Sequence, residues 1–247
     1  MKRKTVLVAV FAIVVWLVLP CAAAARNAET KLDLGPLGHA GGSVPWNIVV
    51  LLTVLTLLPA IVLSMTPFVR LLVVFHFLRQ ALGTQTTPSN QTLIGLSLIL
   101  TFFLMQPVGA AIHDTAIVPY ERGQTDVMGA IERASGPVQK FMLRYSREKD
   151  LALFLELAKE PKPASPNDLP MRVVAPAYLV SELKSGFQIG AALYLPFLVV
   201  DMSVAAITTS VGMLQLPPVV ISTPLKILLF VMVDGWNLLV GSLMKSF

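Results

Sequence analysis

The chain has 247 residues, 55% of them hydrophobic and only 13% charged, with a mean hydropathy of +0.74; soluble domains carry about 25% charged residues, so water is not its main solvent. The net charge of +5 sits partly at Lys2, Arg3 and Lys4, and no basic run interleaved with aromatics or nucleic-acid-binding signature follows, which excludes nucleic acid as a partner. Several stretches approach the ~20 apolar residues that cross a bilayer as a helix, so the expected fold is an all-α, polytopic membrane protein.

In chain order, Met1 to Thr5 are a charged start, Val6 to Leu19 an apolar core and Ala22 to Ala25 a small-residue tract. Together they predict a cleaved signal peptide over residues 1–25, with an uncleaved anchor helix as the alternative. Cys21, the only cysteine, falls inside that segment, so disulfides and thiol chemistry are not expected in the mature chain. Residues 26–44 are rich in Gly, Ala and polar residues and read as an exported linker.

Residues 45–112 hold the first group of membrane helices. Trp46 to Ser64 is the first apolar run of membrane length, interrupted by Pro59. Met65 to Leu82 stays apolar but carries Pro67, Arg70, His76 and Arg79, which marks it as interfacial or buried in protein. After the polar turn Gly83 to Asn90, Thr92 to Ile112 is the next span, with Pro107 near its end.

Residues 113–185 change character: acidic and basic residues are nearly balanced, and Val138 to Leu157 has helical periodicity before the breakers Pro161, Pro163 and Pro166. This is the expected water-facing, mostly helical insert, with an amphipathic helix on its surface. Residues 186–247 return to apolar segments, Phe187 to Ser210 and Val219 to Val240, forming a helical hairpin. Their connection, Val211 to Pro218, has Gln215 as its only polar side chain, and Pro217 with Pro218 breaks the helix into a turn. Arg70 and Arg79 are expected on the cytoplasmic side, with the insert exported.

Three charges stand in the apolar hairpin: Asp201, Lys226 and Asp234. Each costs at least ~2.5 kcal/mol at a helix centre unless a partner or water offsets it. Lys226 and Asp234 would lie about 80° apart and ~12 Å along one helix, too far for an easy pair. Asp201 with Lys226 across the hairpin is the more natural pairing; a pair between subunits and snorkelling to the interface are the alternatives. Prolines 59, 67, 107, 196 and 224 interrupt apolar helices and favour an assembly that re-satisfies the freed backbone groups. Gly186 and Gly190 form a small-xxx-small packing pair.

His39, His76 and His113 have no metal-site spacing, and neither a phosphate-cradling G-x-x-x-x-G-K-[ST] loop nor a G-x-S-x-G turn occurs. No catalytic, cofactor-binding or metal residues are therefore expected, and no cofactor; the chain reads as a non-enzyme. An ion-coupled secondary transporter would also place Asp and Lys in broken helices, but the halves show no inverted repeat.

Three groups of motifs carry a family resemblance. The first is Met65-Thr-Pro-Phe with Leu78-Arg-Gln-Ala-Leu-Gly-Thr-Gln, then Pro88 and Asn90-Gln91. The second is Phe141-Met-Leu-Arg, Arg147-Glu-Lys-Asp-Leu, Pro170-Met-Arg, Pro176-Ala-Tyr and Ser181-Glu-Leu-Lys-Ser-Gly-Phe-Gln-Ile-Gly. The third is Leu195-Pro-Phe-Leu-Val-Val-Asp, Leu216-Pro-Pro and the long ending from Pro224 to Leu243. From about Trp46 to Phe247 the chain resembles the flagellar export-gate FliP family and its virulence-type III secretion relatives, and its ending is more like the flagellar branch. The resemblance implies a pore-forming homo-oligomer in the bacterial inner membrane and flagellar basal body. It also implies FliQ-like and FliR-like subunits, other export-apparatus components, and unfolded export substrates passing through a shared channel. In that family the loop before the paired prolines is a methionine-rich gasket. Here the matching gate residues are Met213, Leu214, Gln215 and Leu216, with only one methionine kept; flexible, polarizable methionines seal varied contours better than leucine does.

Overall fold

The computed structural model describes residues 46–84, 86–160, 165, 168–212 and 217–247. The expected signal peptide, the exported linker and the Met213 to Leu216 loop lie outside the described residues. The chain divides into two units, Met1–Leu52 and Thr53–Phe247; of the first, only the opening of α1 is described. All regular structure among the described residues is helical.

α1 (Trp46–Ser64) is apolar all round. Within the second unit its Val54, Leu55, Leu58, Ile61 and Val62 are each more than half exposed, the composition of a helix whose environment is lipid or another protein. It meets α2 (Phe68–Ala81) at a bend of 73°. Pro67 stands just before α2, where its missing N–H removes no helical bond.

α3 (Asn90–Ile112) starts at Ser89, whose side chain accepts from the Thr92 N–H, a Ser N-cap of the ordinary kind. The apolar run ends at Ile112, but the helix does not. It passes through a π turn, His113–Ile117, into α4 (Val118–Glu121), so that 90–121 forms one continuous rod. Pro119, which has no N–H to give, lies immediately beyond that π turn.

The insert continues with α5 (Val127–Tyr145), capped by Asp126 through the Gly129 N–H, and α6 (Glu148–Leu157). α7 (Met171–Ser210) then runs for 40 residues without interruption. At 1.5 Å per residue it is ~60 Å long, about twice a hydrocarbon core. The expected insert and hairpin therefore share one helix, and residues 185 and 186 fall in its middle. α8 (Pro218–Met232) and α9 (Gly235–Lys245) meet at a 66° bend, so the segment read from sequence as Val219 to Val240 is broken. Asp234 stands at the break with φ 51°, and a Cβ at Gly235 would lie 2.3 Å from the Phe230 ring. By length and composition, two helical rods suffice to cross a membrane, or up to four if each bent pair is one span.

α2 packs chiefly on α7 and also on α3. Its Leu71, Val74, Phe75, Leu78 and Ala81 are fully buried and form a core with Leu93, Phe197, Phe230, Leu239 and Leu243. A second core, in the insert, gathers Met142, Leu169, Val173, Val174 and Tyr178. Burying apolar surface from water gains roughly 25 cal/mol per Å², whereas among lipid-facing helices that gain vanishes and close packing must replace it.

Gly186 and Gly190 supply that packing. A Cβ on Gly190 would stand 2.5 Å from the Phe77 ring, and one on Gly186 3.1 Å from Val73. Gly190→Leu is accordingly expected to destabilise the detergent-purified protein by about 1–3 kcal/mol through overpacking. Gly109→Ala, where nothing lies within 4 Å, should leave the thermal unfolding midpoint unchanged or slightly raised.

Candidate functional site

The hairpin of α7 and α8 holds its ionic groups in a three-helix fastening. Lys226 Nζ donates to Asp201 Oδ2 at 2.5 Å and to the backbone carbonyl of Ala81 at 3.0 Å. Ser222, one turn before Lys226, donates to Asp201 Oδ1 at 2.6 Å. Lys226 is 2% exposed. A single ammonium thus joins α7, α8 and the end of α2, where the last carbonyls of a helix lack intrahelical donors and favour a cation. Of the three pairings open from sequence, the structure realises the one within the hairpin. Pro217 and Pro218 lie at the start of α8 as expected of a turn. Asp234 joins neither partner: it is exposed at the α8–α9 break and accepts from Asn237 Nδ2 at 3.1 Å.

A second ionic group lies at the other end of α2. Arg70 donates through Nε to Glu182 Oε2 at 3.0 Å and through Nη2 to Oε1 at 2.5 Å, and both side chains are buried. This is the bidentate fork that suits a guanidinium to a carboxylate. Nη1 donates to the backbone carbonyl and hydroxyl of Ser246 at 3.2 Å each, and the Phe247 ring lies 3.9 Å from the guanidinium carbon. Tyr145 of the insert donates to the Phe247 carbonyl.

Arg70 and Arg79 lie toward opposite ends of α2 and are fastened to different partners. They are nine residues apart, ~13 Å along α2, and Arg70 faces the insert while Arg79 reaches Asn90 in the opposite turn. Glu182 and Asp201 lie 19 residues apart on α7, ~28 Å, close to the ~30 Å of a hydrocarbon core.

A third cluster ties α6 to α7. Ser181 donates to Asp150 Oδ2 at 2.8 Å and accepts from the Arg147 N–H at 3.0 Å, and Lys184 donates to Asp150 Oδ1. Arg147 also reaches Ser185 and Gln188. Burial pushes the Asp150 carboxyl up, but the hydrogen bonds from Lys184 and Ser181 and the charges of Lys184 and Arg147 outweigh it and hold it below its ordinary 3.8.

Sequence reasoning flagged Arg70 but not Glu182, its partner 112 positions away; a cation in an apolar helix demanded an acid without saying which. Asp150 carried no sequence signal beyond membership in a motif stretch, and Ser222, Ser246 and Phe247 carried none. Among the described residues no three His, Cys, Asp or Glu side chains converge as metal ligands. The ionic groups are turned on each other, so their chemistry is fastening.

These features define an all-helical protein of membrane-length rods, with a packed insert and hairpins held by internal ion pairs. Residues 51–243 match the FliP family model. The chain is 50% identical over 214 residues to the flagellar biosynthetic protein FliP of Pectobacterium carotovorum subsp. carotovorum, covering 86% of this chain and 83% of that protein. It is 48% identical to the FliP of Bacillus subtilis (81% and 91% covered) and 44% identical to that of Caulobacter vibrioides (99% and 91% covered). The chain belongs to the FliP family.

Two outcomes test the fastenings. Asp201→Ala or Lys226→Met alone should each destabilise the protein by about 3 kcal/mol or more, because each strands a charge. The double variant should lose clearly less than the sum, read from denaturant unfolding in detergent. For Asp150, a carboxyl held low when folded stabilises the fold above the unfolded value of ~3.9, and that contribution is lost as pH falls through the lower folded value. The wild type should thus lose thermal stability between about pH 5 and about pH 3 more steeply than Asp150→Asn, which has no such proton to bind.

Proposed function

We propose that the chain is a non-catalytic, pore-forming subunit of the flagellar type III export apparatus. In this reading it spans the inner membrane several times within the flagellar basal body, after cleavage of residues 1–25. The observation that carries the reading is the family match across 51–243, with relatives named for flagellar biosynthesis. The fold supports it physically. Helices α1, α7 and α8 carry long exposed apolar faces that call for lipid and neighbouring subunits together, and single copies have no reason to contain so many kinked apolar rods.

The neighbours are further copies of the chain and FliQ-like and FliR-like subunits, which enclose a channel for unfolded flagellar subunits. Met213, Leu214, Gln215 and Leu216, which precede Pro217 and Pro218 in the sequence, form the apolar constriction in this reading. Both oxygens of Asp201 are engaged by Lys226 and Ser222, which favours a fastened wall over an ion-carrying site. A virulence-type context is disfavoured by the flagellar names of the relatives.

Deleting the gene should abolish motility and secretion of flagellar subunits, and the tagged protein should co-isolate FliQ-like and FliR-like chains. A motile, secreting deletion strain would refute the export role. Replacing Met213 to Leu216 by glycine should raise ion leakage through the assembled complex; membrane conductance equal to the wild type would remove the gate from this reading while leaving the export role standing.

A further inference from the structure

A cleft of about 510 Å³ opens between the last turns of α2 and the facing parts of α7 and α8, lined among others by His76, Arg79, Gln80, Tyr194, Asp201 and Lys226. Its volume is in the range of small-ligand sites, ~300–1,000 Å³. His76, Arg79 and Gln80 follow at spacings of three and one residues, with Gly83 just beyond the helix end, so one stripe at the end of α2 forms a wall.

The charge balance of this cleft is positive. Asp201, the only acid lining it among the described residues, is neutralised, since one oxygen accepts from Lys226 and the other from Ser222. Among the described residues Arg79 uses one N–H, toward Asn90 Oδ1 at 2.5 Å, out of five donors in a planar fork. Lys226 spends two of its three protons, on Asp201 and on the Ala81 carbonyl. Arg79 and Lys226 against Asp201 leave one positive charge and a surplus of donors, and Tyr194 and the exposed Gln80 also line the cleft. A planar guanidinium with free N–H groups beside an ammonium suits an anion with several oxygens. Apolar surface adjoins the rim: Val219 lines the cleft, and Val219 and Val220 are both more than half exposed.

We propose that this cleft binds a phosphate-bearing anion, held by Arg79 and assisted by Lys226, with the headgroup of an acidic membrane lipid and a free phosphate as the two sources of that chemistry. A lipid would seat its phosphodiester on Arg79 and run its chains along Val219 and Val220. The site stands independently of the pore reading, because it uses only the contacts of one copy.

The test uses the full chain purified in detergent with the subunits that co-isolate. Phosphatidylglycerol, phosphatidylcholine and inorganic phosphate are titrated separately, with thermal stability and native mass spectrometry as readouts. Phosphatidylglycerol is expected to bind about tenfold or more tightly than phosphatidylcholine, and Arg79→Gln to lose about tenfold. Asn90→Ala, which frees Arg79 but keeps its charge, should retain binding. Gln80→Glu, at an exposed position, places a carboxylate beside the cleft and should weaken binding even if Arg79→Gln misfolds. Stabilisation by phosphatidylglycerol alone assigns the lipid source, and stabilisation by inorganic phosphate alone assigns the soluble one. Equal retention of phosphatidylcholine, or indifference to both Arg79→Gln and Gln80→Glu, overturns the proposal.

Discussion

A charge placed in an apolar helix must be answered by another group, and the answers made by α7 organise this molecule. At one end Glu182 takes the Arg70 fork, and at the other Asp201 takes Lys226 and Ser222. Both partners belong to helices that would otherwise be held by apolar contact alone. Such contact is weakly directional, and in lipid it lacks the water-driven gain that orders a soluble core. The ion pairs fix which helix lies beside which, and at what height. Breaking one leaves a stranded charge, so each pair acts as a strong selector of register even where its net stabilisation is small.

Between these fastenings the packing is set by small residues. Gly186 and Gly190 let α2 approach α7 until Val73 and Phe77 occupy the space a side chain would take. Close backbone approach substitutes for hydrophobic burial in a membrane setting. In the insert, Met142 of α5 packs with Val173, Val174 and Tyr178 of α7, and the Asp150 cluster pins α6 at its start. One helix, α7, serves both cores, and Tyr145 with Phe247 and Arg70 links them at the join.

That join bears on how a FliP-family subunit is wired. The insert and the membrane hairpin are not separate bodies tied by a linker, because the 40-residue α7 is common to both. The bend at Asp234, by contrast, allows α9 to turn back across Phe230 and deliver Ser246 and Phe247 to Arg70.

Composition and the spacing of apolar runs were sufficient to read the all-helical membrane class, the positions of α1, α2 and α3 and the break at Pro217 and Pro218. Each follows from local hydropathy or from a residue that cannot continue a helix, and both are written in consecutive positions. The long ordered motifs also pointed to the family. The pairing of Asp201 with Lys226 was among the readings open from sequence, but choosing it required the fold. Glu182 as the partner of Arg70, the separate fastening of Arg70 and Arg79, the continuity of α7 through 185 and 186, and the break at Asp234 were decided by tertiary structure alone. The reason is physical: a charge in an apolar helix states that a partner is needed, whereas which distant residue meets it depends on how the helices pack in three dimensions.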